Sequence, residues 1–356
     1  MDKSGNHSEI KSSKAKHILV IRFSAMGDVA MTVPVLSVLI HTYPNLQVTV
    51  LTKNFFRPLF SHLPNVTIYE ADLKGVHSGV LGLGTLATEL RDEEIDAVAD
   101  LHDVLRTNVL RSLFYFYGIP FKQIDKGRAE KKALTRDNDK EFKQLKSSHQ
   151  RYADVFRELG FPLDLSEYSP PPKRKLLPTV QEIIGTKKQK YLGIAPFAQH
   201  DSKCYPEDLM EKVIAELSSQ ENLKIILFGG GNTEKEKLEH WEQKFPKVIS
   251  VVGKLRFTEE LSLISNLDVM LSMDSGNAHL AAIYGIPVIS LWGVTHPYAG
   301  FRAFNQPMEN CILPDLEQYP KIPTSIYGNK YPEGYEEVMR SIPPEKVIQK
   351  IKDILG

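Results

Sequence analysis

The chain of 356 residues carries 44 Lys+Arg against 44 Asp+Glu, so no net field draws it to nucleic acid, and it is too long for one typical core. Two domains are therefore expected. Hydrophobic residues at 42% and charged residues at 25% are ordinary for a soluble globular protein. The only two cysteines, Cys204 and Cys311, argue against a disulfide framework or a cysteine zinc site and point to a reduced, cytoplasmic setting. No apolar run approaches the roughly 20 residues that a spanning helix needs, and the polar start, 1–16, lacks a signal-peptide core and reads as a disordered tail.

Residues 17–22, rich in Ile, Leu and Val, are the first predicted strand. They run into Phe23-Ser24-Ala25-Met26-Gly27-Asp28, after which 29–40 reads as a helix. Gly27 would let the backbone approach a ligand, and Asp28 would cap the helix or act as a base. Neither the spacing of a dinucleotide fingerprint nor that of a Walker loop is present. Strands at 46–51, 66–69 and 95–101 follow, with helices at 54–61 and 104–117. Gly79, Gly82 and Gly84 fall in a loop or helix start ahead of a helix at 85–91; a phosphate loop and a plain connection are both open there. Alternating strands and helices specify an α/β protein with a mostly parallel sheet and right-handed crossovers.

Residues 122–151 break this rhythm, with Lys and Arg outnumbering Asp and Glu two to one. Such a basic, loop-rich insertion is either a solvated face or a surface for an acidic acceptor or an anionic membrane. Its candidate acceptor-binding residues are Lys126, Arg128, Lys131, Lys132 and Arg136. A helix at 150–159 leads to Ser169-Pro170-Pro171-Pro172, which reads as a linker. The expected division is an N-terminal domain at 17–170, a linker at 171–189, a C-terminal domain at 190–342 and a closing helix at 343–356 that packs back on the N-terminal domain.

The second half restarts the alternation, with strands at 191–195, 223–228 and 248–251 and helices at 206–218, 234–244 and 258–265. A glycine turn, Gly229-Gly230-Gly231, precedes Glu234 and Glu236, either of which could bind ribose hydroxyls. The stretch 267–293 organises this half: a buried strand at 269–273, then Asp274-Ser275-Gly276, a helix at 277–284 stopped by Gly285, and a strand at 288–292. A helix start at the carboxyl end of a parallel strand offers unpaired N–H groups to an anion, so a nucleotide-diphosphate site stands beside the plain alternative of a capped helix. Residues 300–341 read as mostly irregular, and 344–355 as an amphipathic helix. Two similar βα halves with a cleft between their carboxyl edges is the architecture implied.

Taken in order, Ile21-Arg22-Phe23-Ser24-Ala25-Met26-Gly27-Asp28, Asp201-Ser202-Lys203 before Tyr205-Pro206, Asp274-Ser275-Gly276-Asn277-Ala278-His279-Leu280-Ala281-Ala282 with Gly285-Ile286-Pro287, and Trp292-Gly293-Val294-Thr295-His296-Pro297 resemble glycosyltransferase family 9, the heptosyltransferases of the lipopolysaccharide inner core. The resemblance implies a GT-B fold, two Rossmann-like domains facing across a cleft, the first binding acceptor and the second an ADP-sugar. It implies an inverting transfer of heptose from ADP-heptose to an acidic inner-core glycolipid, with no metal ion and no cofactor, in the cytoplasm with peripheral contact to the inner membrane.

Within that resemblance Asp28 matches the base, and Lys203 joins it in the catalytic set. Asp274, Ser275, Gly276, Asn277 and His279, with Glu234 and Glu236, form the donor-binding set. His279 could contact phosphate or sugar, or be a core histidine; Asp274 could hold sugar hydroxyls or cap the helix. Two alternatives stand beside the transferase: the same fold using another nucleotide sugar or acting as an epimerase, and a non-catalytic nucleotide-sugar-binding protein.

Overall fold

The structure, a computed structural model, describes residues 15–356. The tail expected at 1–16 lies outside the described residues except for its last two. The helices run α1 (Met26–Ala30), α2 (Thr32–Thr42), α3 (Arg57–Phe60), α4 (Gly79–Asp92), α5 (Leu105–Phe116), α6 (Arg128–Thr135), α7 (Ser148–Glu158), α8 (Pro178–Ile184), α9 (Glu207–Ser218), α10 (Gly231–Lys244), α11 (Phe257–Ile264), α12 (Gly276–Ile283) and α13 (Pro344–Leu355).

One compact unit comprises the described residues up to Ser24 together with Pro34–Lys126 and His149–Tyr168. Its sheet contains β1 (His17–Ile21), β2 (Gln47–Thr52), β3 (Val66–Glu70), β4 (Ala97–Asp100) and β5 (Phe121–Gln123), in the order β3-β2-β1-β4-β5 and wholly parallel among the described residues. The apolar runs of β1 and β2 are buried almost end to end, as strands covered on both faces must be. A core of Leu19, Ile21, Val98, Leu86, Leu90, Leu110 and Phe114 joins this sheet to α4 and α5.

The second unit takes Ser169–Gly356 and adds two stretches from earlier in the chain, Ala25–Val33 and Gly127–Ser148. Its sheet contains β6 (Lys190–Ala195), β7 (Leu223–Leu227), β8 (Val248–Ser250), β9 (Val269–Met273), β10 (Val288–Leu291) and β11 (Cys311–Ile312), in the order β11-β10-β9-β6-β7-β8, again parallel throughout. The order reverses direction between β9 and β6, and ligands of open α/β sheets bind beyond the carboxyl ends at such a switch point. The closing helix, expected against the N-terminal domain, sits in this unit's core. Its Val347, Ile351 and Leu355 share one cluster with Met210, Val213, Ile214 and Leu217 of α9.

Three local expectations change. The helix expected at 29–40 is two helices, because Pro34 has no N–H for the carbonyl of Ala30 and the chain breaks at Met31. Gly79, Gly82 and Gly84 lie inside α4, and a Cβ on Gly82 would stand 2.5 Å from the backbone of His77. That glycine allows the helix to pack closely on the backbone of 76–77. The basic stretch is not loop throughout: it contains α6, and the segment after that helix is held within the second unit by Leu145 N–H to Tyr298 O, 2.9 Å, Ser148 N–H to Gly300 O, 2.9 Å, and Lys140 Nζ to Pro323 O, 2.9 Å, while Arg128, Lys132, Arg136, Lys143 and Lys146 stay exposed. Leu134 and Leu145 of the stretch are buried in one cluster with Ala299.

Candidate active site

The site forms where α1 meets α12, both in the second unit. Glycine makes the meeting possible: a Cβ on Gly27 would lie 3.0 Å from His279 Cδ2 and 3.3 Å from Gly276 Cα, and one on Gly276 would lie 2.6 Å from Met26 Cε. Two helix starts thereby come together at the carboxyl end of β9. Beside them is a cavity of about 460 Å3, within the range of small-molecule sites, lined by Gly27, Asp28, Lys203, Asp274, Ser275, Gly276 and His279 and, from the irregular segments, by Gln199, His200, Phe301, Tyr327 and Asn329.

Asp28 is the third residue of α1, and its Oδ2 accepts from the Ala25 N–H at 3.3 Å. This is the return half of a capping box, so the carboxylate is oriented by its own helix while it faces the cavity. Lys203 sits in a 3-10 turn, Asp201–Lys203, and its Nζ pairs with Asp274 Oδ2 at 2.8 Å, both side chains being largely buried. The same oxygen accepts from Thr295 Oγ1 at 3.1 Å. A buried pair of this kind requires its remaining lone pairs to be satisfied, and Thr295, itself wholly buried, supplies that bond. Gly328 packs over the Lys203 stem, where a Cβ would come within 2.6 Å of Cδ, and Ser202 Oγ donates to the Gly328 carbonyl at 2.5 Å.

Helix α12 starts uncapped. Ser275, its N-cap residue, makes no side-chain cap bond; its hydroxyl pairs instead with Ser272 Oγ at 3.1 Å, and Asp274 is turned to Lys203. Of the alternatives open to Asp274, capping the helix gives way to the Lys203 pair, and the N–H groups of the helix start stay available to an anion beside a lysine ammonium. His279 lies one turn in, buried, and neither its Nδ1 nor Asn277 Oδ1 has a hydrogen-bond partner among the described residues. Burial lowers the His279 pKa, against the pull of Asp274 and Asp28, which favours the neutral imidazole.

Other candidates lie elsewhere. Glu234 Oε2 accepts from the Gly230 N–H at 2.7 Å and so closes the glycine turn after β7, while Glu236 is exposed on α10; neither lines the cavity. Of the basic candidates, Lys126 belongs to the first unit, where its Nζ donates to the Asp103 carbonyl at 3.0 Å. Arg128, Lys132 and Arg136 are exposed on or just after α6, the last paired with Glu141 at 3.2 Å. Lys131 is buried, its ammonium 4.3 Å from the centre of the Phe301 ring at the cavity wall. Sequence reasoning gave no role of its own to Thr295, although it stands in the Trp292–Pro297 motif, and missed Phe301, Tyr327 and Asn329. The first carries a recognisable signal, a small hydroxyl residue in a buried run just after a central strand, but the others come from a segment with no periodicity to read.

Two parallel α/β sheets, with an uncapped helix start, a lysine and two aspartates on one cavity at a switch point, match the architecture of glycosyltransferases of GT-B fold. The family model described as glycosyltransferase family 9 (heptosyltransferase) matches residues 83–329, and the chain belongs to that family. It is 27% identical over 303 residues to the lipopolysaccharide core heptosyltransferase OpsX of Haemophilus influenzae, covering 79% of this chain and 80% of that protein. The crystal structure of a family 9 glycosyl transferase from Veillonella parvula superposes with a TM-score of 0.73 at 20% identity, covering 96% of this chain and 97% of that one. The E. coli heptosyltransferase WaaC, solved with ADP-2-deoxy-2-fluoro heptose, gives a TM-score of 0.62 at 18% identity, covering 95% and 99%.

Proposed function

We propose that this glycosyltransferase moves a heptose from ADP-heptose to a lipopolysaccharide inner-core acceptor, with inversion and without a metal ion. The observation that carries the reading is the convergence of Asp28, the Lys203–Asp274 pair and the uncapped start of α12 on one cavity. The diphosphate lies against the N–H groups of Ser275, Gly276 and Asn277. Lys203 keeps two ammonium protons for it beyond the one given to Asp274. Asp28 accepts the proton of the acceptor hydroxyl as that oxygen bonds to the anomeric carbon, and the departing ADP takes the electron pair of the broken C–O bond. The negative charge growing on ADP meets fixed donors, so little reorganisation is needed during the step. His279, neutral and one turn inside the helix, offers a hydrogen-bonding group to sugar or phosphate. The exposed Arg128, Lys132 and Arg136 face an acidic acceptor from the same unit. Glu234 and Glu236 keep a place only as ribose ligands reached by a longer donor than the cavity alone encloses.

A thermal-shift panel of ADP, UDP, GDP and CMP tests the donor, with turnover of ADP-heptose on an inner-core acceptor as the second arm. Stabilisation by ADP above the other three together with transfer is expected. Equal response to UDP, or ADP-heptose bound without transfer, would replace the reading by another donor or by a non-catalytic binder.

A further inference from the structure

The cavity beside α12 has a wall that the chemistry above does not use. Phe301 and Tyr327 both line it, their ring centres 6.1 Å apart and their planes at 42°. Phe301 is half-buried: it packs on the cluster of Leu134, Leu145 and Ala299, and the Lys131 ammonium stands 4.3 Å from its ring centre. A cation over one face helps to fix how that ring sits. Tyr327 is 57% exposed and lies outside any helix or strand, yet its backbone is pinned. The buried Ser325 Oγ accepts from the Tyr327 N–H at 3.3 Å and the Gly328 N–H at 2.9 Å, and pairs with Asn329 Oδ1 at 3.1 Å. Gly328, at a positive φ of 84°, lies against the Lys203 stem, and its carbonyl accepts from the Ser202 hydroxyl. One exposed ring alone is ordinary; a ring held on a fixed turn, next to a second ring in a cavity, is a preformed surface.

We propose that Phe301 and Tyr327 form a stacking surface for a pyranose ring in the transfer site. A pyranose carries its hydroxyls around the rim and C–H groups on its faces, so a flat aromatic ring covers the C–H groups while the rim stays with polar partners. Asn329, on the same cavity, offers an amide to those rim hydroxyls. Position selects a sugar over a nucleobase: Asp28 and Lys203 share the cavity with the two rings, whereas Glu234, which closes the glycine turn after β7, lies outside it. The rings therefore meet the substrate near the bond that forms, through either the transferred sugar or the acceptor's own. The proposal rests on the reading above in one respect, that the bound molecule carries a sugar.

The test compares wild type with Tyr327→Ala, Tyr327→Leu and Tyr327→Phe, using calorimetric Kd values for ADP and ADP-heptose and the KM for an inner-core acceptor. Tyr327 is exposed, so the variants should fold, and their melting temperatures check it. Tyr327→Ala should leave ADP binding within about twofold and weaken at least one sugar by roughly tenfold. A raised Kd for ADP-heptose assigns the rings to the donor's heptose; a raised KM with unchanged ADP-heptose binding assigns them to the acceptor. Tyr327→Phe keeps the flat face and should match wild type, whereas Tyr327→Leu, apolar without a flat face, should behave as the alanine variant does. Three results would overturn the proposal: no change in either sugar on Tyr327→Ala, an equal loss for ADP and ADP-heptose, or a loss on Tyr327→Phe as large as on Tyr327→Ala. A wild type that prefers the sugar of another nucleotide would count against the donor reading alone. The same variants, measured with that nucleotide sugar and its bare nucleotide, would then decide for or against the rings.

Discussion

Asp28 and Lys203 do different work in the same cavity, and single substitutions separate them. Asp28→Ala removes a proton acceptor that matters when the new bond forms, so transfer should fall to background while ADP affinity stays within about threefold. Lys203→Ala removes a charged donor from the bound state itself, so the Kd for ADP should rise by about tenfold to a hundredfold, equivalent to roughly 1.5–3 kcal/mol. It also strands the Asp274 carboxylate, which is almost fully buried, so the melting temperature should drop as well. Calorimetry showing unchanged ADP affinity in the lysine variant would remove Lys203 from donor binding. His296 offers a third residue-scale check. Burial, helped by Lys140, lowers its pKa from 6.5 to about 4, and its Nδ1 accepts from the Tyr298 N–H at 3.1 Å, a bond only the neutral ring can accept. The unfolded chain therefore binds the extra proton between pH 6.5 and about 4, and stability should fall as pH falls through that window and level off below it. His296→Asn keeps an acceptor for Tyr298 and should flatten that part of the melting-temperature profile; an unchanged profile would place its cause elsewhere.

At the scale of elements, the decisive contact is that of α1 with α12. Gly27→Val would push atoms into His279 and the Gly276 backbone, where even a Cβ stands at 3.0 and 3.3 Å. The cost is that of overpacking, about 1–3 kcal/mol, and its particular consequence is to lift α1 off α12 and carry Asp28 away from the uncapped helix start. Transfer should therefore fall far more than ADP binding; a variant that melts lower yet keeps full turnover would show that the glycine contact does not set the position of Asp28. Gly27 was readable as a close-approach position, because the sequence sets it just before a helix after a strand, whereas Gly276 read only as a flexible helix start. The partner of each was not readable, since sequence order separates them by most of the chain. The same holds for Asp274, for which the sequence leaves sugar binding and capping both open, because its partners Lys203 and Thr295 are not its sequence neighbours.

At the scale of the whole molecule, alternation of strands and helices was sufficient to read two parallel α/β sheets, because each strand is a short apolar run bounded by turn residues. What alternation cannot express is that the chain returns: Ala25–Val33 and Gly127–Ser148 group with the later sheet although they come before the proline-rich stretch. Their contacts depend on two glycines and on a small cluster of Leu134, Leu145 and Ala299, none of which has a periodic pattern. This arrangement makes a specific prediction about dissection. A fragment of residues 169–356 contains the second sheet, Lys203, Asp274 and α12, and by linear order should be a complete donor-binding domain. It lacks α1 and α6, however, so the Gly276 face and the apolar surface of Tyr298, Ala299, Phe301 and Ile326 would be uncovered. The fragment should melt lower than the full chain and bind ADP more weakly, and adding a peptide of residues 22–36 in trans should recover part of the ADP affinity. If the fragment alone bound ADP as tightly as the full chain, α1 would contribute nothing to the donor side, and Asp28 would have to be explained by the acceptor alone.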